Sequence, residues 1–387
     1  MLALLLARRG VRVALLEQHR DFDRDFRGDT LHPSVLEILD QLGLVERVLA
    51  LPHGELRRAS VRAPAGDVEL GDFSRLHTRY PFIALLPQAE FLPLLVDEAR
   101  RYPGFTLLMG ATVRELLESG GLVQGVRYTV DGQQRELRAT LTVGADGRFS
   151  VVRRLAGLPV VPFSQPIDVL WFRVPHGANA PELAFGRLGR GHIAVLLPRH
   201  DSWQVAWVLP KGGYRRLRAA GLAALRADVA ALVPELGDAL ESALGDWRQV
   251  SLLSVEASRA RRWYRPGLLL IGDAAHVMSP IGGVGINYAI QDAVVAANVL
   301  AAPLHEGRRV PGRGIGTAPL VAIQLRREIP TRLIQTVQHL VQRRLLESVG
   351  QDRLGVLPSW LLRTPLLRDL PIRLVAYGLC PPRVAGS

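Results

Sequence analysis

Cysteine is almost absent from this chain: a single residue, Cys380, stands among 387 positions. One thiol excludes a disulfide framework and any cysteine-based metal cluster, and it fits a reducing cytoplasm. The histidines are scattered without ligand spacing, so no metal site is expected. Lysine is scarcer still than the net charge of +12 would imply, because Lys211 stands alone and the rest of the positive charge is arginine. Those arginines are spread over the whole chain rather than clustered, which argues against a nucleic-acid surface. Neither apolar stretch near the chain's ends reads as a spanning helix. Met1 to Ala7 is followed at once by Arg8-Arg9-Gly10, and Leu354 to Leu379 is broken by Pro358, Pro365 and Pro371. Nor is there a serine–histidine–acid set or a pair of carboxylates at a legible spacing. The side chains therefore offer no obvious chemistry of their own, and a cofactor has to carry it.

Apolar residues make up 48% of the chain, enough at this length for one large or two interleaved domains. The most informative stretch is Leu268 to Leu300. Leu268 to Ile271 reads as a short buried parallel strand, Gly272-Asp273 ends it, and a Pro/Gly loop runs from Pro280 to Gly285. From Ile286 an Ala-rich apolar segment continues to Leu300 as a helix. A strand, a glycine-rich loop and a helix N-terminus together present free N–H groups and about half a positive charge. Asp273, at the strand's carboxyl end, is placed to accept hydrogen bonds from a polyol or ribose.

The residues GDAAHxxxPxxGxGxN, Gly272 to Asn287, resemble the second FAD fingerprint of the para-hydroxybenzoate hydroxylase family, the single-component FAD-dependent monooxygenases. The resemblance implies an α/β fold, with a Rossmann-like FAD-binding domain interleaved with a β-sheet substrate domain and followed by C-terminal helices. The boundaries expected are 1–53, 84–157 and 258–320 for FAD, 54–83 and 158–257 for substrate, and 321–387 for the helices. Glu17, ending the strand VRVALL, matches the acid that holds ribose hydroxyls. Arg27 matches an arginine lying over the FAD, Gln88 a position on the flavin side, and Val113 a backbone contact to adenine. Asp146, in GADGRFSVVRR, matches an internal Asp-Gly motif that serves FAD near the nicotinamide route. Asp273, Pro280, Gly283, Gly285, Ile286 and Asn287 complete the cofactor set. The N–H groups near Ile286 and Asn287 would face the N1/C2-oxygen edge of the flavin, and Pro280 with Gly282-Gly283 would wall its ring. His276 is read as structural, and no catalytic base is assigned.

One part of the pattern is not found. The family opens on a strand and G-x-G-x-x-G, about 15 to 20 residues upstream of the helix that Leu2 to Arg9 matches, and a misplaced start codon is the expected reason.

By the same resemblance, NADH or NADPH reduces the FAD and oxygen is captured as a C4a-hydroperoxide. A small organic substrate, aromatic or isoprenoid/polyketide-like, is then hydroxylated or epoxidised. A halogenase is disfavoured, since neither WxWxIP nor a suitably placed lysine occurs. A prenyl-chain reductase of the same fold, or a truncated relative that holds FAD weakly and does not turn over, are the alternatives. Ile329, Leu333, Val337, Leu340, Val341 and Leu345 make one stripe at helical spacing, expected to pack on the FAD domain. The alternative for this basic helix is peripheral contact with the inner face of a membrane.

Overall fold

The computed structural model describes residues 1–23, 30–175, 185–199, 201–309, 315–349 and 369–386. The fold is mixed α/β, as expected. In one half the parallel strands form two pieces. Val13–Glu17 pairs with Phe105–Met109, and Thr142–Gly144 pairs with Leu268–Leu270. Among the described residues the two pieces are not hydrogen-bonded to one another, and both line one cavity through Ala14 to Glu17 and Leu141 to Val143. A meander of Thr112–Ser119, Leu122–Val130 and Gln133–Arg138 stands beside them.

Helices cover this half. Leu2–Arg8, Pro33–Gln41 and Gln88–Arg100 bury their apolar faces against Ile290, Val294 and Ala297 of the long helix Gly285–Arg309. That helix is apolar nearly all round because it is buried nearly all round. It also runs beyond Leu300, where the sequence predicts a loop: Pro303 lies inside it, and the helix continues to Arg309.

The other half is a seven-stranded sheet in the order Ser251–Ser254, Ile167–Pro175, Ser202–Pro210, His192–Pro198, Gly186–Gly189, Arg58–Ala63 and Gly66–Asp72. Side chains alternate between its two faces. Leu170, Phe172, Val174, Trp203, Val205 and Trp207 point to helices Leu222–Leu232 and Gly237–Ala243 and are buried there. Val169, Trp171, Ala206 and Val208 point the other way, into the cavity. Of the five aromatics the sequence offers as pocket walls, Trp171 and Phe185 line it. Phe172, Trp203 and Trp207 are core behind the sheet. Lys211 ties the end of this sheet together: its Nζ donates to Asp168 Oδ1 and to the Val255 carbonyl, both at 2.8 Å.

Helix Thr317–Val349 closes the molecule, and its orientation differs from the apolar-stripe expectation. Ile329 and Leu340 are 65% and 55% exposed, and Leu333 is exposed as well, so half of that stripe faces outward. Beside buried Leu320, Ile323 and Ile334 the inward face carries a polar row: Gln324, Arg327, Thr331, Gln335, Gln338 and Gln342 are all buried. Backbone carbonyls that face the helix, from the short strands Ala257–Ala260 and His276–Val277 and from the loops beside them, explain the inversion, because they need donors. Gln324 Nε2 donates to Arg261 O, and Gln335 Nε2 to Ser258 O and Val277 O.

Candidate active site

The cavity between the two halves has a volume of about 1,940 Å³. Its walls are the two strand edges, the fingerprint loop, one face of the large sheet and part of the glutamine-rich helix.

The loop's conformation follows from its glycines. Gly282 and Gly283 have φ of 76° and 62°, where a side chain is strained, and a Cβ on Gly283 would overlap Thr30 Oγ1. Thr30 Oγ1 donates to the Gly283 carbonyl at 2.7 Å. Two glycines in succession leave this wall without side chains, while Pro280 contributes only its ring. The helix then begins: Tyr288 N–H returns to Val284 O, so Gly285, Ile286 and Asn287 supply the donors of the opening turn.

Nine of the predicted cofactor residues line the cavity: Glu17, Gln88, Val113, Asp146, Asp273, Pro280, Gly283, Gly285 and Ile286. Asn287 is placed differently. It is buried, with Oδ1 accepting from His32 N–H and Nδ2 donating to Thr30 O and Gly283 O, so its side chain braces the loop from behind. Asp146 caps the helix Val151–Leu155, accepting from Val152 N–H and Ser150 Oγ. Gln88 opens its helix without a capping hydrogen bond. Glu17 Oε1 accepts from His19 N–H at 2.9 Å. Arg27 lies outside the described residues.

Behind the fingerprint lies a buried ionic cluster that motif reading misses. Asp292, fully buried on the long helix, accepts from Gly272 N–H at 3.0 Å and Arg327 Nε at 2.7 Å, with His276 Nε2 at 2.5 Å. Burial alone would raise the Asp292 pKa, but interaction with His276 and Arg327 outweighs it and holds the group at about 2. Gly272, next to Asp273, is thus pinned by a carboxylate one helix away. The sequence does carry a signal: Asp292 is the one acid in an otherwise apolar or neutral helix from Ile286 to Leu300. Arg153 makes a second tie, donating to Ala274 O at 2.9 Å and so joining the Asp146 motif to the Asp273 motif.

Residues fit an FAD in three respects: a wall free of side chains, a row of helix donors, and carboxylates at Glu17 and Asp273 on one cavity. Residues 1–311 match the family described as FAD binding domain. The chain belongs to that family. It is an FAD-dependent monooxygenase, an oxidoreductase. It is 38% identical to 6-methylpretetramide 4-monooxygenase of Streptomyces rimosus over 97% of this chain and 89% of that protein. It is 31% identical to 12-dehydrotetracycline 5-monooxygenase/anhydrotetracycline 6-monooxygenase of the same species, over 76% of this chain and 58% of that protein. Among solved structures, P. aeruginosa PqsL in complex with 2-aminobenzoylacetate superposes with a TM-score of 0.75. There the identity is 24%, with 92% of this chain and 95% of that one covered, and the likeness is one of fold.

Proposed function

We propose that this enzyme hydroxylates a flat polycyclic phenol in the apolar half of the cavity, with FAD held along the other half. The observation that carries the reading is size. At about 1,940 Å³ the cavity exceeds the roughly 300–1,000 Å³ of ordinary ligand pockets, which fits two guests side by side. One end is rich in backbone donors and carboxylates, while the other is walled by Val169, Trp171, Ala206, Val208 and Val341. A flat apolar molecule suits that second end. The names of the two Streptomyces relatives point to aromatic polyketides of several rings.

In this reading Glu17 holds the ribose of the adenosine, Val113 meets the adenine through its backbone, Arg27 lies over the FAD, Gln88 serves its flavin side, and Asp146 serves it near the nicotinamide route. Asp273 takes its polyol chain, and the ring rests against Pro280 to Gly283. When bound, FAD supplies the electrons, drawn from NADH or NADPH, that activate oxygen. The protein's own part is electrostatic and steric. Donors at Gly285, Ile286 and Asn287 favour negative charge on the ring's pyrimidine edge, and preorganised donors count most where water is excluded. The aliphatic walls exclude that water and hold the substrate flat beside the glycine loop.

The test is NAD(P)H consumption by the FAD-loaded enzyme with a polycyclic phenol in air. The expected product carries one additional oxygen atom, with oxygen consumed in step. A product that gains two hydrogens and no oxygen would instead mark a reductase.

We place the enzyme in the cytoplasm. The stretch Ile281–Glu306 is apolar and long enough to cross a bilayer, but 67% of its apolar window is buried within the protein. Peripheral contact with an anionic membrane has one supporting feature: exposed Leu325, Ile329, Leu333 and Leu340 lie beside exposed Arg326, Arg332, Arg343 and Arg344. Co-flotation with anionic but not neutral vesicles is expected from that surface, and its absence would remove the membrane from the account.

A further inference from the structure

Gln204 lies on strand Ser202–Pro210 with its side chain on the same face as Ala206 and Val208, the face turned to the cavity. Its cross-strand neighbours are Leu197 and Arg173, and the next row of the floor is Trp171, Ala206 and Val195. Arg199, just past the end of the adjoining strand, reaches back to it. Its Nε donates to Gln204 Oε1 at 2.8 Å, and its Nη2 donates to the same oxygen. Two guanidinium donors on one atom of the amide fix that atom as oxygen, because an NH₂ group there would face two more N–H groups.

The other end of the amide is therefore Nε2. Among the described residues it meets no acceptor. Nor is it sealed by its neighbours. Gln204 as a whole is only 2% exposed, yet this nitrogen keeps accessible surface, and the residue lines the cavity. A donor with no lone pair to offer can be satisfied only by an acceptor. The arginine behind it matters as well. A cation bonded to Oε1 polarises the planar amide and strengthens Nε2–H as a donor.

Position gives this donor its meaning. Ala206, two residues along the strand, belongs to the apolar cluster against which Ile281 of the fingerprint loop packs. Gln204 is roughly 7 Å farther along, about the width of one or two fused rings. A single polar group on an apolar floor dictates which way a flat molecule lies.

We infer that Gln204 is a substrate-recognition residue: its Nε2 donates a hydrogen bond to a carbonyl oxygen on one edge of a fused-ring substrate. The opposite edge is thereby left toward the fingerprint loop, where oxygen is transferred. Arg199 is a positioning residue, which holds the amide in this orientation and polarises it. The inference rests on the aromatic-substrate reading above, and it adds a ketone or quinone oxygen to the substrate class.

The experiment is calorimetric binding to FAD-loaded protein of three probes on one ring frame: 9-fluorenone, which only accepts, fluorene, which does neither, and 9-fluorenol, which also donates. Wild type is expected to prefer fluorenone over fluorene by about tenfold, the worth of one hydrogen bond in a dry site. In Gln204→Leu that ratio should fall to about one, with fluorene bound as before. Gln204→Glu keeps an acceptor for Arg199 but offers the cavity a carboxylate, so it should reject fluorenone and prefer fluorenol. A glutamine that serves only to hold Arg199 would leave the fluorenone ratio standing in Gln204→Leu, and that result overturns the inference. Equal affinities for fluorenone and fluorene in wild type, as when water satisfies Nε2, overturn the inference alone. Failure of all three probes to bind, with flavin held, overturns the aromatic-substrate reading and the inference with it. Should both variants lose the fold, a crystal structure of wild type with fluorenone decides. A ketone oxygen at hydrogen-bond distance from Gln204 Nε2 supports the inference, and one placed elsewhere refutes it.

Discussion

Asp292 shows how much of this site depends on residues that never touch a ligand. Its carboxylate holds Gly272, His276 and Arg327 at once in the buried interior. Replacing it by asparagine leaves the Arg327 guanidinium buried without its counter-charge, a change that costs about 3 to 5 kcal/mol in comparable buried pairs. Denaturant titration of Asp292→Asn should show a loss of that order; a loss below about 1 kcal/mol would mean the cluster is incidental. His32 gives a second handle. It is fully buried, with Nδ1 against the Val375 carbonyl at 2.7 Å. Burial pushes its pKa down to about 4, more than the carbonyls of Val375 and Gly282 push it up. Above the ordinary value near 6.5, His32 is neutral whether the chain is folded or not, and its full contribution is present. Between there and about 4 the unfolded chain takes up a proton that the folded chain refuses, so stability falls as pH falls, by up to ~1.4 kcal/mol per pH unit. Melting curves of wild type and His32→Gln across that window check this. The variant should lack that slope, and an unchanged slope would assign it to other groups.

At the scale of whole elements, the fingerprint was easy to read and the glutamine helix was not. Leu268 to Asn287 declares itself because strand, turn and helix N-terminus each demand particular residues, and the glycines at 282 and 283 have no substitute at those backbone angles. Helix Thr317–Val349 obeys no such rule. Hydrophobic periodicity assigns the inward face to the leucines and isoleucines, yet the helix turns its glutamines inward because backbone carbonyls there need donors. Periodicity assumes that the surface being covered is apolar, and here it is a row of carbonyls. Sheet alternation had the opposite outcome: Phe172 and Trp207 look like pocket walls in sequence, and only the register of their strands sends them to the far face. A paired substitution tests the helix. Gln335→Leu strands two carbonyls and should cost about 1 to 3 kcal/mol, whereas Ile329→Gln on the exposed side should stay within about 0.5 kcal/mol. Equal effects on thermal unfolding would return the helix to its apolar-stripe orientation.

Across the whole molecule, two halves with separate cores meet at one cavity, and the C-terminal helix fastens one to the other. Its upper part grips the fingerprint through Arg327 and Gln335, while its lower part lines the apolar end through Val337, Gln338 and Val341. One helix thus contacts both the fingerprint loop and the apolar end of the cavity. The cofactor contacts should be unequal. Asp273→Ala is expected to release FAD far more readily than Glu17→Ala, where a few hydrogen bonds of ~1 kcal/mol each are at stake, and dissociation constants in the reverse order would overturn the ranking. All of this presumes that the donors at Gly285, Ile286 and Asn287 open onto an isoalloxazine ring. The visible spectrum of the purified chain, followed by titration with FAD, tests that most directly. A yellow protein with bands at about 370 and 450 nm, or one that acquires them on adding FAD, is the expected result. A colourless protein that leaves added FAD unbound would contradict it.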